Sequence, residues 1–254
     1  MVFLLLFVLG ASAGSFLNVV IDRLPSRLTL SGRSRCDWCG ETLGIRDLIP
    51  ILSFFVLGRR CRRCKKPISW QYPIVEVLTG TLFVLTFWRM VANGNFNLAY
   101  FVYILFVSCI LVVVAAVDFK FSLIPTSAVF AASLVSLFFN YFSRNSGDFV
   151  GFTIGAFALA AFFGLIVFLT RGRGMGEGDI VLGFLMGMVL GIRDGTLAVF
   201  LAFLLGAVVA IFLIGAGRKR FGQTIPFAPF LVLGFWISLF LGNSIIDYYM
   251  RLLY

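Results

Sequence analysis

Long apolar runs alternate with short polar connectors along this chain. Residues 2–21, 74–91, 98–117, 125–142, 149–169, 180–192, 196–216 and 227–242 carry almost no charge. Most approach the ~20 residues that take an α-helix across a hydrocarbon core of ~30 Å. The strands of a membrane barrel would alternate apolar and polar positions instead. The pattern therefore predicts an all-α polytopic membrane protein of about eight transmembrane helices. One polar insertion interrupts it, giving a division into a first span (1–21), a polar module (22–73) and a bundle (74–254).

The sixth run is short: about 12 residues at 1.5 Å each reach only ~18 Å. Either its leading residue, Asp179, sits below the membrane surface, or the helix borrows residues past Arg193. A re-entrant hairpin is the alternative. Gly183, Gly187 and Gly191 recur every four residues here, and Ala160 and Gly164 do so on the preceding run. Small residues at this spacing let helix backbones approach closely.

Charge sets the expected orientation. The net charge of +10 would suggest nucleic acid in a soluble protein. Here the cations sit in loops, so no nucleic-acid partner is expected. The loop 22–73 alone holds eleven of the 21 basic residues, Arg23 to Lys66. Lys120, Arg171, Arg173, Arg218, Lys219 and Arg220 join it on one side, against Arg89, Arg144, Arg193 and Arg251 on the other. The positive-inside rule makes the richer side cytoplasmic and the N-terminus external. Ala11-Ser12-Ala13 resembles a signal-peptide cleavage site, but no Lys or Arg precedes the first run. It reads as an anchor.

The chain has no histidine. Ser-His-Asp and Cys-His catalysis and every His-ligated metal site are excluded. Four of the five cysteines form two pairs in the polar module, Cys36-Asp37-Trp38-Cys39 and Cys61-Arg62-Arg63-Cys64. Four thiolates in this pairing suit a tetrahedral zinc site with no open position, hence a structural one. Two disulfides are the alternative, disfavoured in a reducing compartment. Nearby arginines and lysines would offset the tetrathiolate charge and could meet lipid headgroups. Cys109, alone in an apolar run, reads as a small packing residue.

Acid–base chemistry falls to carboxylates. Asp118 and Asp179 sit at the ends of apolar runs on the expected cytoplasmic side. Two close carboxyls do not both ionise easily, so one acts as base while the other holds a proton. Such a pair can take a proton from water while polarising a peptide carbonyl. Simpler readings are a helix N-cap for Asp179 and a boundary residue paired to Lys120 for Asp118. The glycines before Asp179 permit close backbone approach and φ > 0.

Several motifs together resemble the bacterial type IV prepilin peptidases, membrane aspartic proteases of the GxGD class. Gly14-Ser15-Phe16-Leu17-Asn18-Val19-Val20-Ile21-Asp22-Arg23-Leu24-Pro25 looks like the family's N-terminal signature. Asp47-Leu48-Ile49-Pro50-Ile51-Leu52-Ser53 and Ile68-Ser69-Trp70-Gln71-Tyr72-Pro73-Ile74-Val75-Glu76 flank the second cysteine pair. Gly176-Glu177-Gly178-Asp179 fills GxGD, and Pro226-Phe227-Ala228-Pro229-Phe230 matches the late segment. The resemblance implies catalysis by Asp118 and Asp179, supported by Gly176 and Gly178, in a bacterial inner membrane. The implied substrates are prepilins or pseudopilins of type IV pilus or type II secretion systems, cut after a short basic leader at the cytoplasmic face. It also implies zinc on Cys36, Cys39, Cys61 and Cys64. Many members methylate the new N-terminus with S-adenosylmethionine, an activity linked to the cysteine-containing part. Glu76 is the candidate residue for that activity, its plain alternative being a solvated acid at a helix start. No glycine-rich nucleotide fingerprint accompanies it. Two positions depart from the family pattern: Pro125-Thr126 stands where Pro-Asp is frequent, and Asp37 where proline is common.

Two other classes fit parts of the pattern. A presenilin-like protease shares GxGD but pairs it with Tyr-Asp, whereas Val117 precedes Asp118 here. A proton-coupled transporter would use buried acids but should show internal repeats, and none is evident.

Overall fold

The computed structural model describes residues 1–253 apart from 27, 37, 95, 173 and 218–224. Arg27, Asp37, Arg173 and the cluster Arg218, Lys219 and Arg220 lie outside the described residues. Among those described the chain is helical: α1 (Val2–Arg23), the short α2 (Leu52–Val56), α3 (Gln71–Ala92), α4 (Leu98–Phe121), α5 (Thr126–Ser143), α6 (Ser146–Thr170), α7 (Glu177–Gly215) and α8 (Ala228–Leu253). Seven of them, all but α2, are long and apolar enough to cross a membrane.

The sixth and seventh apolar runs are joined as the two arms of α7. Gly191, at φ 76° and ψ −174°, breaks the helix between them. A Cβ built on Gly195 would lie 3.9 Å from the Gly187 Cα. In a straight helix, residues eight apart are separated by ~12 Å. The chain therefore folds back on itself at Gly191. The first arm also starts three residues earlier than the sequence pattern suggests, at Glu177 rather than Ile180.

The chain forms two compact units, Met1–Val113 and Val114–Tyr254. In the first, α1 and α3 meet backbone to backbone. A Cβ on Gly10 would lie 2.8 Å from the Gly80 Cα, and one on Gly14 would lie 2.8 Å from the Glu76 Cα. The glycines thus bring the α1 backbone directly against the turn that carries Glu76.

In the second unit, α6 and the first arm of α7 pack as closely. A Cβ on Gly187 would collide with the Gly155 carbonyl and Ala156, and one on Gly183 with the Phe163 ring. The α6 side of this seam is Gly155, Leu159 and Phe163, not the Ala160 and Gly164 expected from spacing; a Cβ on Gly164 would meet nothing within 4 Å. Residues 155, 159 and 163 share one helix face, and 160 and 164 lie one step further round it.

Breaking a helix at Gly191 strands backbone carbonyls. Asn140 of α5, fully buried, donates from Nδ2 to the Met188 carbonyl at 2.7 Å. That carbonyl would otherwise accept from the residue four positions on, which lies beyond the break. Asn140 Oδ1 in turn accepts from Arg144 Nε at 3.0 Å. Asn140→Leu should cost about 1 kcal/mol, the usual worth of such a bond between membrane helices, and lower the thermal midpoint in micelles. An unchanged midpoint would show that the bond does not support the turn.

Candidate active site and candidate metal centre

Asp118 occupies the last turn of α4. The chain leaves that helix through Ser122 in left-handed backbone geometry (φ 51°), its N–H returning to the Asp118 carbonyl at 2.8 Å. Loop 122–125 then leads into α5. Its Ile124 packs on the backbone of Gly178: a Cβ there would stand 2.6 Å from the branched Cβ of Ile124. Glycine at 178 is therefore a packing requirement. It seats the loop following Asp118 against the turn that carries Asp179.

Asp179 is not the N-cap of α7. Gly176 holds that position and Asp179 is the third helical residue. Its Oδ2 accepts from the Gly176 N–H at 3.1 Å, and its own N–H donates to the Gly176 carbonyl at 3.1 Å. The carboxylate thus satisfies a stranded donor at the positive end of the helix dipole. Its second oxygen, Oδ1, is buried and has no hydrogen-bond partner in the protein. Of the glycines before it, Gly172 has positive φ, whereas Gly176 has extended geometry.

Asp118 is held in a matching way from a third element. Its Oδ2 accepts at 3.0 Å from the N–H of Ala228, the first residue of α8. Pro229 follows, and the first helical turn tolerates its missing N–H. Both acids are nearly enclosed, Asp118 at 6% and Asp179 at 5% exposure. Lys120 places its ammonium 5.2 Å from the centre of the Phe121 ring.

Sequence reasoning placed both acids but not their tethers. Pro226-Phe227-Ala228-Pro229-Phe230 marked α8 as part of the picture, although a backbone N–H leaves no mark in residue identity.

The four cysteines of the first unit come together, with all four Sγ atoms within 4.8 Å of one another. Cys36 and Cys64 Sγ lie 3.8 Å apart. That matches the edge of a tetrahedron with ~2.3 Å metal–sulfur bonds, about 3.8 Å. The two cysteine loops are built alike. Gly40 N–H returns to Cys36 O and Lys65 N–H to Cys61 O, at 2.9 and 3.0 Å. Gly40 and Lys65 both have positive φ, and the bridges Arg35–Thr42 and Arg60–Pro67 close the loops. Backbone N–H groups of Cys64 and Arg63 bring the Cys61 thiol down to about 7. Crowding raises Cys39 to about 12, burial first and then hydrogen bonds to its sulfur neighbours. Four sulfurs this close, from two loops of like build, can hold a metal ion. Cys109 is a free, half-buried thiol apart from them.

Glu76 is not a solvated acid at a helix start. It is 7% exposed and its Oε2 accepts from the Ile51 N–H at 2.7 Å. That contact gives Asp47-Leu48-Ile49-Pro50-Ile51 a structural purpose that residue types alone did not reveal.

Residues 8–90 match the bacterial peptidase A24 N-terminal domain and residues 105–211 the type IV leader peptidase family. Full-length relatives agree. The chain is 33% identical to a prepilin leader peptidase/N-methyltransferase of Bacillus subtilis (strain 168), covering 98% of each chain. It is 32% identical to the protein of that name from Xanthomonas campestris pv. campestris, covering 96% of this chain and 92% of that one. Against the protein of that name from Aeromonas hydrophila it is 32% identical, over 98% and 93%. No solved structure matches the chain.

The contact of Gly178 with Ile124 is directly testable. Gly178→Ala should displace the loop and lower the thermal midpoint by roughly 2–4 °C for each kcal/mol of overpacking. Gly176→Ala should change it little, because a Cβ there would first meet Asp179 Oδ2 at 3.9 Å. Equal effects would contradict the packing role.

Proposed function

The chain belongs to the type IV leader peptidase family, and on that footing we propose that Asp118 and Asp179 form the pair that cuts the leader from prepilins or pseudopilins. One observation carries the assignment. Each acid gives one carboxyl oxygen to a backbone N–H at the start of a helix, and Asp179 keeps the other buried without a protein partner.

Such a pair holds one proton between two groups. The ionised carboxyl takes a proton from water as the water oxygen attacks the scissile carbonyl. The protonated carboxyl gives its proton to the carbonyl oxygen. Collapse of the tetrahedral adduct returns a proton to the departing amine and restores the single-proton state. The backbone tethers fix both carboxyls before substrate arrives, so little reorganisation is needed during reaction.

The reading extends to orientation and cofactors. The protein is an integral membrane protein, and the basic-loop count supports a bacterial inner-membrane location with the acids facing the cytoplasm. It supports a functional division into an anchor (1–21), a zinc module (22–73) and a protease bundle (74–254). Zinc fits Cys36, Cys39, Cys61 and Cys64: four sulfurs at tetrahedral spacing leave no position for water, so the ion staples a loop that has little apolar core. The relatives' names also support N-methylation of the new N-terminus. S-adenosylmethionine would supply the methyl group, with Glu76 as the residue assigned to that activity.

Asp118→Asn and Asp179→Asn should each lower prepilin cleavage in detergent by at least about 10³-fold while membrane insertion persists. Cleavage near the normal rate in either variant would remove the pair. Elemental analysis should find one zinc per chain. Stripping it should open 22–73 to proteolysis before hydrolysis fails, and a protease-resistant metal-free loop would overturn the staple.

A further inference from the structure

The helix α2 is too short to cross a membrane, yet it turns apolar side chains outward. Leu52, Phe55 and Val56 are 63%, 60% and 82% exposed. They stand at i, i+3 and i+4 and so share one face. Ile49, also exposed, extends the stripe one turn back. On the membrane-spanning helices such exposure meets lipid tails. α2 belongs to the polar module, where an exposed apolar cluster marks a contact surface.

The opposite side of α2 fixes its place. Phe54 is buried there and packs on Trp70, with ring centroids 5.0 Å apart. Trp70 immediately precedes α3. Ile51, the residue before α2, donates its N–H to Glu76 Oε2 of α3 at 2.7 Å. It does so from φ 63°, a conformation that a β-branched residue rarely adopts. Strain of this kind persists only where the surroundings enforce it. Trp70 and Glu76 stand ~9 Å apart along the helix axis. The two contacts therefore hold α2 beside the first turns of α3, a candidate membrane span. That is the depth at which headgroups meet acyl chains, and at which tryptophan rings collect.

The charge beside the stripe suits the same depth. After α2 the chain turns through Gly58 and Arg59, both at positive φ, and leaves Arg59 and Arg60 exposed. The Arg59 guanidinium lies 5.5 Å from the centre of the Trp70 ring. Arg62 and Arg63 are engaged by Asp47 and Glu41. Among the described residues Arg59 and Arg60 pair with no carboxylate. Two uncompensated cations next to an apolar stripe complement a layer of phosphates above acyl chains.

We propose that α2 is an interfacial helix: Ile49, Leu52, Phe55 and Val56 enter the acyl boundary of the leaflet where α3 begins, and Arg59 and Arg60 bind the phosphates of its anionic phospholipids. The bilayer then covers the side of the module that protein leaves open. Lipid charge sets how firmly the module is held against the membrane.

The test is amide hydrogen exchange of the full-length protein in nanodiscs of phosphatidylcholine alone and of an equal mixture with phosphatidylglycerol. Segment 49–60 should exchange about ten-fold more slowly in the mixture, in keeping with ~1 kcal/mol per arginine at an anionic surface. The difference should vanish near ~1 M salt, where the screening length is ~3 Å. Arg59→Gln/Arg60→Gln should abolish the dependence on phosphatidylglycerol. Phe55→Ser/Val56→Ser should speed exchange of the segment in both lipids, while the amides of α3 keep their wild-type protection and so report an intact fold. Exchange that ignores lipid charge in wild type, or an arginine variant that still responds to it, would overturn the proposal. So would protection of the segment that appears only when a prepilin is added, which would give the face to a protein partner.

Discussion

A carboxyl group buried among apolar helices has to be hydrogen-bonded, yet a carboxyl that activates water has to keep an oxygen available. Unit Val114–Tyr254 meets both demands with backbone. Gly176 N–H holds one oxygen of Asp179, and Ala228 N–H holds one oxygen of Asp118. Neither tether is a side chain that could titrate, swing away or carry a compensating charge. In the proposed pair each acid is then left to the other as electrostatic partner, and a shared proton is the state that reading requires.

The rest of the unit keeps those tethers in register. Gly178 admits Ile124 and so seats the loop following Asp118. Gly183 and Gly187 let the arm bearing Asp179 lie directly on α6. At its far end the chain reverses at Gly191, and Asn140 takes up a carbonyl that the reversal releases. In an apolar solvent these contacts cannot draw on the hydrophobic effect, because lipid tails are as apolar as the side chains. Close van der Waals approach and a few buried hydrogen bonds carry the packing instead.

Much of this was legible in residue types. Unbroken apolar runs specify helices, and the runs 180–192 and 196–216 are recognisable as the arms of α7. Cysteine spacing foretold the four-sulfur cluster, and the isolation of Asp118 and Asp179 among apolar residues singled out two acids that are both nearly enclosed. Three things were hidden. The face of α6 that meets α7 depends on helix rotation, which spacing alone does not fix, so Ala160 and Gly164 stood out while Gly155 and Phe163 make the seam. The cap of α7 moved to Gly176 because a carboxylate at the third helical position can reach back to it. Donors that are backbone N–H groups, from Ala228 and Ile51, are invisible to any reading of side chains. Glu76 shows the consequence: its position suggested a solvated acid, and only the fold of 47–51 across it reveals that it is enclosed.

The claim that Asp118 and Asp179 act as one group is tested most directly by adding the Asp118→Asn/Asp179→Asn double variant to the two single variants in a quantitative cleavage assay. Residues that work as a unit are non-additive: once either is lost, the other has nothing left to contribute. The account predicts that the double variant retains the same residual rate as the single ones. A double variant slower by the product of the two single losses would mean that the two acids contribute independently, and would contradict it.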